Sequence, residues 1–166
     1  MSRPERVRLG PTTVVGLLVE ARWNELFQAV PDAWHRLFAR ADELRQLAGA
    51  GRFVEVSLGT QDGIYTELIG IEVSDAATCP AGLRRLHIPA GEWLHLHHTG
   101  DVTGIAEGFG ALYAHAEAEG VAVSDVKVDF GYTPSADDGP HDLYLSLQNN
   151  VAPQWREQSR EEAEHG

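Results

Sequence analysis

Cysteine is almost missing from the chain. Cys79 stands alone in 166 residues, which excludes an intrachain disulfide and a four-cysteine zinc site and removes any need for an oxidising compartment. No unbroken apolar run approaches the roughly 18 residues that a membrane span requires. Positive charge is scarce too: 13 basic residues face 25 acidic ones, a formal net charge of −12 with histidine neutral. Such a field repels phosphate backbones and anionic lipids, so no direct nucleic-acid binding and no membrane partner are expected. It favours cationic small molecules or basic protein surfaces, although acidity serves solubility at least as often as recognition. Also absent are a Gly-x-Ser-x-Gly elbow, a phosphate-binding Gly-x-x-x-x-Gly-Lys-Ser/Thr loop and a Gly-x-Gly-x-x-Gly turn after a strand. Cys79, beside Pro80, has no basic neighbour in sequence to activate it. Neither covalent catalysis nor a cofactor is expected. Arg3, Arg6 and Arg8 precede no apolar block of the kind a signal peptide needs, so the expected placement is cytoplasmic.

What is present is the composition of one globular domain, 43% hydrophobic and 23% charged. Residues 12–22 hold Val14, Val15, Leu17, Leu18 and Val19 and read as a strand, followed by a polar break at Trp23-Asn24-Glu25. From Pro31, expected in the first turn, Trp34, Leu37, Phe38, Ala41, Leu44 and Leu47 recur at helical spacing up to Gly49. Residues 53–58 and 64–73 read as a hairpin joined by a loop at 59–63. The pattern then repeats, with strands at 83–88 and 92–98, a glycine-bearing helix from Val102 to Gly120, and strands at 126–132 and 143–148 around a loop at 134–140. An offset of about 79 sets Val15 near Leu94, Trp34 on Tyr113 and Leu68 on Leu147. The expected fold is α+β: two βαββ modules, 12–73 and 83–149, related by a pseudo-two-fold axis with a ligand cleft between them, flanked by an N-terminal tail (1–11) and an acidic C-terminal tail (150–166).

Tyr65-Thr66-Glu67-Leu68-Ile69-Gly70-Ile71-Glu72-Val73, then Pro80-Ala81-Gly82-Leu83, then Ile88-Pro89-Ala90-Gly91-Glu92-Trp93 resembles the GyrI-like effector-binding domain. The likeness covers about residues 12–149. It implies the duplicated βαββ fold found as the ligand-sensing half of AraC- and MerR-type regulators, and in free-standing proteins related to a DNA gyrase inhibitor. It further implies a central cleft for cationic or lipophilic drugs. With only about ten residues before its first strand, this chain has no room for a helix-turn-helix and is expected to be a stand-alone sensor or sequestering protein. Some stand-alone relatives are hydrolases that open strained cyclopropane rings with a cleft carboxylate and aromatics. The family often carries a Phe-Glu-x-Tyr-like stretch in the second half. Val128-Asp129-Phe130-Gly131-Tyr132 places Asp129 at roughly the position of that glutamate, with a side chain one methylene shorter.

Alternation along the strands supplies the candidate ligand contacts. Val126, Val128, Phe130 and Tyr132 are expected beneath the helices, leaving Asp129 to face the cleft. Trp93, His95 and His97 share a face opposite Leu94 and Leu96 and are expected to look into the cleft as well. Tyr65 and Glu67 share one side of their strand, and Trp34 and Tyr113 occupy equivalent places on the two helices. Each has a plainer alternative, an aromatic in the core or a polar group on a solvated face. His95, His97 and the adjacent His98 lack further ligands at set spacings, so no metal is expected. The leading expectation is a binding protein for an amphipathic or cationic ligand, with Asp129 or Glu67 supplying charge. The alternatives are a hydrolase, in which Asp129 or Glu67 is the general base and Tyr65 or Tyr113 orients the leaving oxygen, and an acidic protein-interaction module that occupies a gyrase-like enzyme.

Overall fold

Residues 2–134 and 139–156 are described by a computed structural model. The middle of the expected 134–140 loop and most of the acidic C-terminal tail lie outside the described residues. In chain order the elements are β1 (Glu5–Leu9), β2 (Thr12–Arg22), α1 (Trp23–Phe38), α2 (Ala41–Ala48), β3 (Phe53–Gln61), β4 (Ile64–Val73), β5 (Arg84–Ile88), β6 (Gly91–His98), a 3₁₀ turn (Val102–Gly104), α3 (Ile105–Glu119), β7 (Val123–Tyr132), β8 (His141–Leu147) and β9 (Gln154–Trp155).

The first helix begins two turns before Pro31. Trp23-Asn24-Glu25, expected as a break, is instead its opening turn, because Glu25 Oε1 accepts the backbone N–H of Arg22 at 3.0 Å and satisfies a donor that the helix start leaves free. Pro31 therefore sits inside α1, where the burial of Ala33, Trp34 and Leu37 against the sheet outweighs the lost backbone bond. The expected single helix pauses at Ala39-Arg40 and resumes as α2. The β3–β4 hairpin is tighter than expected: Asp62 and Gly63 form a two-residue turn with φ of 52° and 77°, the Asp-Gly geometry that suits the twist of paired strands.

All strands join one antiparallel sheet in the order β1-β6-β8-β7-β3-β4-β2-β5-β9. Read outward from its centre, β7-β8-β6-β1 matches β3-β4-β2-β5, the pseudo-two-fold duplication expected. The edges are exchanged: β1, which precedes the first module, pairs with β6 of the second, and β5, which precedes the second, pairs with β2 of the first. Residues 5–9, assigned to a tail by the sequence pattern, are thus a strand. Only Pro89 and Ala90 join β5 to β6, although five strands separate them in the sheet, so the sheet curls until its flanks meet. The inside of the curl is an apolar core of Val14, Val54, Val56, Leu68, Leu86, Ile88, Trp93, Val128 and Phe130. Gly16 and Gly70, directly paired across β2 and β4, permit the close approach: a Cβ on Gly16 would stand 2.2 Å from Ile69 O.

The helices pack on the outer face, α1 and α2 over Val15, Ile69 and Ile71, and α3 over Leu94, Leu96, Leu143 and Leu145. Gly108 lets α3 settle on Leu143, since a Cβ there would lie 2.5 Å from Leu143 Cδ1. This arrangement reverses one expectation. Val126, Val128 and Phe130 point into the curl, away from the helices, while Lys127 and Asp129 point toward them. Tyr132 leaves that alternation because Gly131, at φ 129°, forms a bulge that turns the phenol to the helix side. Leu68 and Leu147, matched by the sequence offset, belong to opposite faces.

Candidate functional site: the cleft between the helices

Between the start of α1 and the start of α3, the middle of the sheet is left uncovered. β3 and β7 run side by side there, with Glu55 opposite Asp129 and Ser57 opposite Lys127, and β4 places Glu67 opposite Ser57. These side chains floor a cavity of about 370 Å³ whose walls are Trp23, Leu26, Tyr65, Ile105 and Phe109. Its size and its mixture of apolar walls with a few convergent polar groups are those of a small-molecule site. Trp23 is 73% exposed at the rim and lies 5.5 Å from the Tyr65 ring, centroid to centroid. A second cavity of about 580 Å³ adjoins it, lined by Trp34, Phe38, Tyr132 and His141, and the two share Glu55.

Three carboxyl groups converge on the floor, and burial raises the pKa of each. Glu55 is pushed up to about 8 by desolvation and by the charges of Glu67 and Asp129, against a hydrogen bond of 3.2 Å from Trp34 Nε1. Glu67 is pushed up to about 7, again by desolvation, with the Ser57 hydroxyl donating to its Oε1 at 3.0 Å and Lys127 opposing the shift. Asp129 is also held above its ordinary value by burial, opposed by its contact with His141, whose Nδ1 lies 2.7 Å from Asp129 Oδ1. One oxygen among these groups, Glu67 Oε2, is buried with no hydrogen-bond partner. A buried, unpaired carboxyl oxygen is costly, and a positive charge held close to it would offset that cost.

The structure brings Tyr65, Glu67 and Asp129 together at this cavity and sets Trp34 in the adjoining one. Tyr113 stands one contact back, its hydroxyl 3.4 Å from Lys127 Nζ. Trp93, His95 and His97 are not in the cleft. Leu94 and Leu96 face a core, the one beneath α3, but the cleft lies on that same helix-bearing face, so the alternate residues point the other way. Trp93 is buried inside the curl, and His95 and His97 both contact Asp142 Oδ1, at 2.8 Å and 3.0 Å, with Arg52 on its other oxygen at 3.1 Å. Among the described residues no group of three or more His, Cys, Asp or Glu side chains is arranged to hold a metal ion. No helix among them is long and apolar enough to cross a membrane.

Residues that the sequence reading missed are Glu55, Ser57, Lys127, Trp23 and Phe109. Glu55 did leave a signal: it interrupts Phe53-Val54-Glu55-Val56 in the middle of a strand, in the phase opposite the two valines.

The family model for the GyrI-like small molecule binding domain matches residues 3–146, nearly the whole described chain. The chain belongs to the GyrI-like family. Within curated proteins, this GyrI-like chain is 32% identical over 114 residues to the transcriptional regulator BrlR of Pseudomonas aeruginosa, a match covering 66% of this chain and 40% of that protein. The chain thus spans well under half the length of that relative. Among solved structures, the fold is shared with SAV2435 bound to tetraphenylphosphonium at a TM-score of 0.68 and 8% identity, covering 89% of this chain and 95% of the other. A hydrolase from Listeria innocua shares it at a TM-score of 0.57 and 12% identity, covering 88% and 92%.

Proposed function

We propose that this GyrI-like domain binds an amphipathic organic cation in the cleft between α1 and α3, as a sensor or sequestering protein. The observation that carries this reading is Glu67 Oε2, a buried carboxylate oxygen without a partner beneath an aromatic rim of Trp23 and Tyr65. A delocalised cation would find charge below it and ring faces beside it, and each cation–π contact contributes about 0.5–2 kcal/mol. The tetraphenylphosphonium bound by SAV2435 has this chemistry. Asp129, which the family resemblance sets near a cleft glutamate, lies in the same cavity, and Glu55, pushed up to about 8, is a further carboxyl that a bound cation would draw toward ionisation.

The test is a titration of intrinsic fluorescence, since Trp23 stands at the rim, with tetraphenylphosphonium and with neutral triphenylphosphine oxide. Glu67→Gln is expected to weaken the cation about tenfold, the scale of a lost charge-assisted contact, and to leave the neutral compound nearly unchanged. Equal loss of both compounds would remove the electrostatic role. A second reading, hydrolysis of a strained-ring electrophile, has one observation in its favour: Glu67 titrates at about 7, where a carboxyl works well as a general base, and Tyr65 shares its strand face and cavity. Mass spectrometry of each mixture separates the two, since a water adduct formed at catalytic ratios supports hydrolysis and unchanged compound supports binding.

A further inference from the structure

We infer that the cleft selects zwitterions over bare cations, and that Lys127 is the residue that recognises the ligand's anionic group. This deepens the binding reading above and rests on it.

Lys127 is the only lysine in the chain. It projects from β7 in the same phase as Asp129 and lines the same cavity as Glu55, Glu67 and Asp129. An ammonium carries three donors. Among the described residues this one makes a single long contact, 3.4 Å to the Tyr113 hydroxyl, whose ring centroid is 5.4 Å away. No described carboxylate lies within ion-pair distance of it, and the nearest in strand register, Glu67, accepts the Ser57 hydroxyl at its Oε1 instead. A cation with unused donors therefore stands in a cavity whose other charged groups are all carboxyls. Toward a ligand that is only cationic, Lys127 is repulsive. Toward a ligand bearing both signs it completes the complement, with its ammonium facing a carboxylate and Asp129 or Glu67 facing the cation. Lys127 and Asp129 are two residues apart on one strand and project to the same side, so the ligand charges they match sit on one side of one molecule. The ligand class is an amphipathic zwitterion with an aromatic body to lie against Trp23 and Phe109.

The experiment uses two xanthene dyes with one skeleton: rhodamine 123, a methyl ester that is purely cationic, and rhodamine 110, the free carboxylate. Fluorescence anisotropy measures both on the wild-type chain and on Lys127→Met. The wild type is expected to bind rhodamine 110 several-fold more tightly than rhodamine 123. Lys127→Met is expected to weaken rhodamine 110 about tenfold or more, the scale of a lost hydrogen bond between charged groups, and to tighten rhodamine 123. Equal wild-type affinity for the two dyes, a wild-type preference for the ester, or a substitution that shifts both dyes alike overturns the role of Lys127 while leaving cation binding in place. A wild-type chain that binds neither dye nor tetraphenylphosphonium overturns the reading of the cleft itself. The wild-type comparison decides the zwitterion preference itself even if the variant does not fold.

Discussion

Glu55 and Glu67 release their protons at about 8 and about 7 in the folded chain, against 4.5 for an unperturbed glutamate. Between those values the folded state binds more protons than the unfolded one, so stability falls as pH rises. Their contribution is complete below about 4.5 and is lost as pH climbs through 7 and then 8. The unliganded protein is therefore expected to melt at a lower temperature at pH 8.5 than at pH 5, and Glu67→Gln, which cannot ionise, to flatten that dependence. Calorimetry across the range checks it, and a wild-type midpoint that rises with pH would contradict the burial of these carboxyls. The same two residues show how far side-chain chemistry was legible. Glu67 was recognised because the family resemblance ran through it. Glu55 was passed over because one charged residue in an apolar strand reads as an edge feature until its cross-strand partner, Asp129, is known.

At the scale of elements, existence and order were legible and facing was not. Alternation divides Trp93, His95 and His97 from Leu94 and Leu96 without ambiguity, and divides Lys127 and Asp129 from Val128 and Phe130 equally well. It cannot say which of two apolar faces carries the helices, and here both faces are apolar because the sheet closes on itself. The valines of β7 thus suit the curl as well as they would suit a helix. The start of α1 was hidden for a local reason: a tryptophan and an asparagine before a glutamate look like a loop until Glu25 is seen bonding back to Arg22. Gly131 is the element on which the cleft geometry turns. Its bulge sends Tyr132 against Trp34, ring centroids 4.3 Å apart, and so forms the wall of the second cavity. At φ 129°, with Pro140 O 2.4 Å from where a Cβ would sit, Gly131→Ala is expected to destabilise the fold by about 1–3 kcal/mol. It should also lower Trp34-dependent near-ultraviolet dichroism. Unchanged stability and spectrum would show that the bulge is not under strain.

For the molecule as a whole, the exchanged edges make the two modules one folding unit. β1 closes the flank of the second module, with Val7 and Leu9 packed into the curl and Arg6 paired with Glu92. Deleting residues 2–9 is expected to cost about 2–3 kcal/mol of apolar burial, which for a chain of this size lowers the melting midpoint by roughly 5–10 °C. The transition should remain single when followed by dichroism and by tryptophan fluorescence. Two separated transitions would mean that the modules fold independently. The same exchange orders events on the ribosome. β1 is made about eighty residues before its partner β6, so at roughly 5–20 residues per second it waits about 4–16 s for a strand to pair with. Over that interval the nascent segment Glu5-Arg6-Val7-Arg8-Leu9 exposes two apolar side chains, and the charges set between them keep one emerging chain from pairing with another before its own second half arrives.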